Sequence, residues 1–139
     1  LVNVIPQEVV FTIDARHPDE KMLKEAEAQI ANIIQNTGSD TACSVESRSL
    51  ARVEPCDFSE VVIAAVEAAA TDHNLSQRRM KSGAGHDAQI LSGSVPSGMI
   101  FVPSEAGISH NPAEFTTPEN IVNGANVLLD ATLNLAARI

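Results

Sequence analysis

Gly98-Met99-Ile100-Phe101-Val102-Pro103-Ser104 is the stretch on which the fold turns. It is a short, unbroken apolar run bounded by Gly and Pro. That pattern belongs to a strand buried on both faces, in a sheet covered by helices. A polar loop follows, Gly107-Ile108-Ser109-His110-Asn111-Pro112-Ala113-Glu114, and Thr117-Pro118-Glu119 then opens a helix. In open α/β sheets ligands bind just beyond the carboxyl ends of strands, where His110 falls. Imidazole is the commonest metal ligand at neutral pH. Glu114, four residues on, is placed to cap the loop or to support the histidine.

Working outward, Thr117 reads as an N-cap with Pro118 at the first helical position, and Ile121, Ala125, Leu128, Thr132 and Leu135 mark a buried face. Upstream, Asp57 with Glu60 is a capping-box-like start, followed by Val61, Ala65, Val66 and Ala69 at helical spacing. Helix, buried strand, helix predicts a layered α/β arrangement. Residues 1–53 read differently. Val9, Phe11 and Ile13 alternate with Val10, Thr12 and Asp14, the period of a strand. Pro18, Asp19 and Glu20 then favour a helix start, with Leu23, Ala26, Ile30, Ile33 and Ile34 on one face and Asn36-Thr37-Gly38 as its stop. Cys43, Val45, Ala51 and Val53 oppose Glu46, Arg48 and Arg52, a second strand with one wet face. The chain thus divides near residue 54.

Composition removes several function classes. A net charge of −9 argues against nucleic acid, whose phosphates call for clustered Lys and Arg. Arg78, Arg79 and Lys81 form the one basic cluster, which reads as a solvated rim. With no Trp, no Tyr and four Phe there is no stacking platform for bases. No apolar run reaches the roughly 20 residues that span a bilayer. Cys43 and Cys56 lack paired metal-ligand spacing and read as reduced thiols of a cytoplasmic protein.

Four motifs in order carry a resemblance: Asn3-Val4-Ile5-Pro6, Phe11-Thr12-Ile13-Asp14-Ala15-Arg16-His17-Pro18-Asp19, Ser82-Gly83-Ala84-Gly85-His86-Asp87-Ala88, and Gly98 to Glu114. Together they resemble the carboxy-terminal part of a zinc amidohydrolase family. It comprises N-carbamoyl-L-amino-acid hydrolases, allantoate amidohydrolases and β-ureidopropionases, and is related to dinuclear zinc aminopeptidases and aminoacylases. The resemblance implies an α/β fold: residues 1–53 as half of an α+β lid that carries a homodimer interface, and 54–139 as part of the catalytic domain. Family members are considerably longer and this chain opens Leu1-Val2-Asn3, so it is expected to be a carboxy-terminal fragment, inactive alone.

The activity implied is metal-assisted hydrolysis of a linear carbamoyl or ureido C–N bond in a small carboxylate-bearing substrate. Two zinc ions would serve as cofactor, with manganese or cobalt as alternatives, and the proton-shuttling Glu would lie upstream. His110 becomes the metal ligand. Arg16 becomes the substrate-carboxylate contact, its planar fork suited to a carboxylate, although pairing with Asp14 or Asp19 is the alternative. Asn3 becomes a contact to the ureido group. Thirteen residues separate Asn3 from Arg16, roughly 43 Å if extended, so a turn at Pro6-Gln7-Glu8 is needed to bring both to one ligand. Gly83 and Gly85 make a turn near the site, with Asp87 capping the next helix; His17 and His73 are expected on the surface. The competing readings are a non-catalytic dimerisation module and a related metallopeptidase or aminoacylase.

Overall fold

The computed structural model describes residues 3–137. The chain forms two units, Leu1–Pro55 and Cys56–Ile139. Four α-helices are present among the described residues: α1 Glu20–Asp40 in the first unit, and α2 Glu60–Asp72, α3 Asp87–Leu91 and α4 Pro118–Ala136 in the second, with a 3₁₀ turn at Glu105–Gly107. No strand is assigned among these residues.

In the first unit α1 begins at Glu20, two residues later than Pro18 suggests. Asp19 is its N-cap, and Asp19 Oδ1 accepts from the Met22 amide at 3.0 Å. The helix also runs through the expected stop at Asn36-Thr37-Gly38 and ends at Asp40. The hydroxyls of Thr37, Ser39 and Thr41 each donate to the carbonyl four residues back, so the polar residues that suggested a stop extend the last turns instead. Leu23 is buried, Ala26, Ile30 and Ile34 are half-buried, and Ile33 faces water. The segment after α1 returns along it. Val45 lies beside Gly38, while Arg52 Nε donates to Glu27 (2.9 Å) and its Nη2 to Glu20 (2.9 Å), one helical heptad apart.

In the second unit α2 packs on α4. Ala65, Ala69 and Ala70 meet Val127 and Ala131, with Val66, Leu75, Ile100 and Leu135 at the margin. Small side chains let the two helices approach closely, and His73 at the end of α2 ties them further through Nε2 and Asp130 Oδ2, 2.7 Å apart. Ser59, not Asp57, is the N-cap of α2. The Asp57 carboxylate instead accepts from Lys81 at 3.4 Å. Arg79 lies along α2 as Arg52 does along α1, gripping Glu67 with two nitrogens (2.7 and 2.8 Å) and Glu60 with a third (2.7 Å).

The three expected strands are single segments of chain. Val9, Val10, Phe11 and Ile13 are all exposed, on both parities, so the predicted one-sided burial is absent. Residues 41–53 lie against a helix, which offers no backbone ladder. Met99 and Ile100 are half-buried, whereas Phe101 is 53% exposed, so this run is covered on one side and not on two. A strand exists as such only when neighbouring backbone pairs with it, and among the described residues no such neighbour is present.

The apolar run nevertheless packs tightly. A Cβ on Gly98 would stand 2.8 Å from Val62 Cγ1 of α2, and one on Gly124 of α4 would collide with Val102 Cγ1. Gly124→Ala therefore opposes two effects. Helix propensity favours Ala by about 1 kcal/mol, while overpacking costs about 1–3 kcal/mol. Net destabilisation is expected, as a lower urea midpoint that Val102→Ala restores in the double variant. An unchanged or higher midpoint would show that residues 98–103 do not lie against α4.

Candidate functional site

His110 sits near the tip of a loop that closes on itself. The Glu105 amide donates to the Phe115 carbonyl (2.8 Å), and Ser104 Oγ donates to the Ile108 carbonyl. Within it, Asn111 Oδ1 accepts from the Ala113 amide (2.9 Å) and the Asn111 carbonyl from the Glu114 amide (2.9 Å), a turn stiffened by Pro112. Three residues adopt left-handed backbone: Ala106 (φ 54°), Gly107 (φ 68°) and His110 (φ 56°). Such conformations cost energy in a non-glycine residue and persist where surrounding bonds enforce them.

The enforcing bonds at His110 are specific. Its backbone N–H donates to Glu114 Oε2 at 2.7 Å, the capping role anticipated for Glu114. Its ring Nδ1 is 2.7 Å from Ser109 Oγ. The residue is exposed, and Nε2 bears no hydrogen bond among the described residues. His110 therefore offers a metal one nitrogen donor from a held ring. Zinc requires about four donors, and no group of three or more His, Cys, Asp or Glu side chains gathers among the described residues. The residues fit a metal as the source of a single ligand.

Arg16 lies in the first unit, on the surface. Its Nε donates to Asp14 Oδ1 (2.9 Å) and its Nη2 to Asp14 Oδ2 (2.7 Å), a bidentate fork on a carboxylate. The hydrogen bonds from Arg16 hold the Asp14 carboxyl below its ordinary range. The pair is therefore intact above the ordinary carboxylate pKa and is lost as pH falls through the depressed value. Asn3 is exposed in a turn. Arg16 thus already holds a carboxylate in bidentate geometry, that of a side chain of its own segment.

The cap of α3 differs from the expectation at Asp87. His86 itself, not Asp87, caps α3, its Nδ1 accepting from the Ala88 amide at 3.0 Å. It also lines an open apolar groove of about 410 Å³ formed by Val62, Met99, Ile100, Val102 and the α4 face of Ile121 and Leu128. A Cβ on Gly83 or Gly85 would meet nothing within 4 Å, so neither glycine is required by close packing. His17 and His73 are both exposed, and each ring nitrogen involved has a local partner, the Asp19 amide and Asp130 respectively. Ser109 was not legible as a functional residue: a serine beside a histidine is too common a pair to signal anything before the ring orientation is known.

Comparison with known proteins is consistent in direction. The family described as Peptidase family M20/M25/M40 matches residues 5–134. The allantoate amidohydrolase of Escherichia coli K12 is 37% identical over 127 residues, covering 91% of this chain and 31% of that protein. The N-carbamoyl-L-amino-acid amidohydrolase of Rhizobium meliloti is 36% identical over 138 residues, 96% of this chain and 32% of its own length. Among solved structures, an amidase of the hydantoinase/carbamoylase family from Burkholderia vietnamiensis superposes with a TM-score of 0.80 at 39% identity, covering 85% of this chain and 29% of that one. The fold of these structural neighbours is α/β. The chain spans about a third of the length of the curated relatives it matches.

Proposed function

Because the chain belongs to peptidase family M20/M25/M40, we propose that it is the carboxy-terminal part of a metal-dependent amidohydrolase. Its reaction is cleavage of a linear carbamoyl or ureido C–N bond in an N-carbamoyl amino acid or allantoate. The observation that carries this reading is the exposed His110 loop, which holds one ring nitrogen and leaves the other without a hydrogen-bond partner among the described residues. Identity above one third to amidohydrolases of both substrate types supports it.

When bound, a pair of divalent metals, zinc on this reading, polarises the scissile carbonyl and acidifies water. The chain's own residues do the rest. His110 Nε2 contributes one ligand. Arg16 takes the substrate carboxylate in its fork. Asn3, whose amide both donates and accepts, meets the ureido group. The first unit, which carries Arg16 and Asn3, serves as the lid and homodimer contact. The proton-shuttling carboxylate comes from outside these residues. The protein is placed in the cytoplasm, a reading supported by two free cysteines, Cys43 and Cys56. No helix among the described residues is long and apolar enough to cross a membrane.

The test uses the 139-residue chain and its full-length enzyme in parallel. The chain alone is expected to show no ureido hydrolysis and no tight stoichiometric zinc, since one donor cannot hold the ion. The full-length enzyme is expected to hydrolyse N-carbamoyl amino acids or allantoate and to lose metal on His110→Ala. Tight zinc on the isolated chain, or a metal content indifferent to His110→Ala, would sink the assignment.

A further inference from the structure

Two polar groups converge on His110 from its own loop, and its two ring nitrogens are left in different circumstances. We propose that Ser109 and Glu114 are positioning residues for His110. Ser109 Oγ accepts from Nδ1–H and so holds the neutral ring in the Nδ1–H tautomer. Glu114 holds the left-handed backbone that aims the ring, and Nε2 then presents its lone pair outward. The purpose of this arrangement rests on the reading of His110 as a metal ligand, but the arrangement itself is tested without any metal.

The geometry leads to this assignment in three steps. The φ of 56° at His110 leaves its amide without a place in any helix or ladder, and Glu114 Oε2 takes that proton at 2.7 Å. A carboxylate acceptor is the strong choice for a solvent-facing amide, because the bond is charge-assisted. The Glu114 backbone is in turn fixed by its own amide on the Asn111 carbonyl at 2.9 Å, which sets the point from which the carboxylate reaches back. With the backbone set, the ring rotation is decided by Ser109 Oγ at 2.7 Å from Nδ1. A hydroxyl can either donate or accept there. Were it to donate, the ring would carry its proton on Nε2 and point an N–H at the position where a cation binds. Acceptance by Oγ leaves that position facing a lone pair, the usual arrangement of a metal-ligating histidine whose other nitrogen donates to an oxygen.

The deciding experiment is ¹⁵N magic-angle-spinning NMR of the ¹⁵N-histidine-labelled chain, at a pH where imidazole is neutral. The method reads ring tautomers whether or not the chain associates. The chain has four histidines, and His110→Asn identifies the signals of interest. A pyrrole-like Nδ1 and a pyridine-like Nε2 are expected for His110. Ser109→Ala should lower the Nδ1–H to Nε2–H ratio about fivefold, the worth of one exposed hydrogen bond. Ser109→Thr, which keeps the hydroxyl, should restore it. Glu114→Ala should speed exchange of the His110 amide, and Glu114→Gln, which still offers an oxygen, should largely rescue it. An Nε2–H ring in the parent chain, or a ratio unmoved by Ser109→Ala, overturns the proposal. If the tautomer is held as described while His110→Ala leaves the metal content of the full-length enzyme unchanged, the positioning stands and only the ligand reading fails.

Discussion

The isolated 139-residue chain should associate in solution, its apparent mass in light scattering rising with concentration rather than holding at the 14.7 kDa of a monomer. The chain exposes 11488 Å² of surface. A compact monomer of its mass would expose about 6,900 Å², and even two separately folded units of these lengths would expose about 8,300 Å². Large apolar side chains contribute to it. Val9, Val10 and Phe11 in the first unit, and Phe101, Ile121, Leu128, Leu129 and Leu133 in the second, are all exposed. Buried hydrophobic residues are Leu23, Val127 and four alanines, Ala65, Ala69, Ala70 and Ala131, which is little apolar area to offset the entropy of ordering the chain. Unpaired segments such as 9–13 also carry free backbone groups that seek a partner edge. A monomeric mass that does not change with concentration, with a cooperative thermal transition, would show that the exposed faces are tolerated and that the unit stands as a domain in its own right.

The same surfaces explain which parts of the fold could be read from sequence. The cap of α4 could, because Thr117 and Pro118 act locally: Thr117 Oγ1 accepts from the Asn120 amide at 3.3 Å, as its position predicts. The buried face of α4 could not. Of Ile121, Ala125, Leu128, Thr132 and Leu135, Leu135 alone packs at the margin of the core; the residues buried against α2 are Val127 and Ala131, and Leu128 is 59% exposed. The helix is apolar round most of its circumference, so periodicity alone does not choose which stripe meets α2. The stripe read from the sequence lines the open groove beside Met99 to Val102. The strands failed for a related reason. Alternation at Val9 to Asp14 and the run at Met99 to Val102 report how residues would sit in a sheet, and pairing is a property of neighbours that these residues do not contain. At the candidate site, His110 and its Glu114 partner were legible because they lie four residues apart in one loop. Arg16 was legible only as a choice between a substrate carboxylate and Asp14, and the structure shows the second filling the fork.

That occupied fork makes Arg16 the sharpest test of the substrate reading. In the full-length enzyme Arg16→Lys should lower kcat/KM about ten- to hundredfold on a carboxylate-bearing substrate, because an ammonium keeps the charge and loses the paired planar donors. The loss should fall mainly on KM if the carboxylate is held equally in ground and transition states. Asp14 supplies the complementary variant. On the substrate reading, a bound carboxylate would displace that of Asp14 from Nε and Nη2 to gain the same two bonds, so the two would compete for one site. Asp14→Asn weakens that competition and should lower KM severalfold, with kcat little changed. An arginine that merely decorates the surface gives a different result, since exposed ion pairs contribute little: both variants would then match the parent in kcat and in KM. Opposite movements of KM in the two variants identify a fork that exchanges an internal carboxylate for the substrate's own.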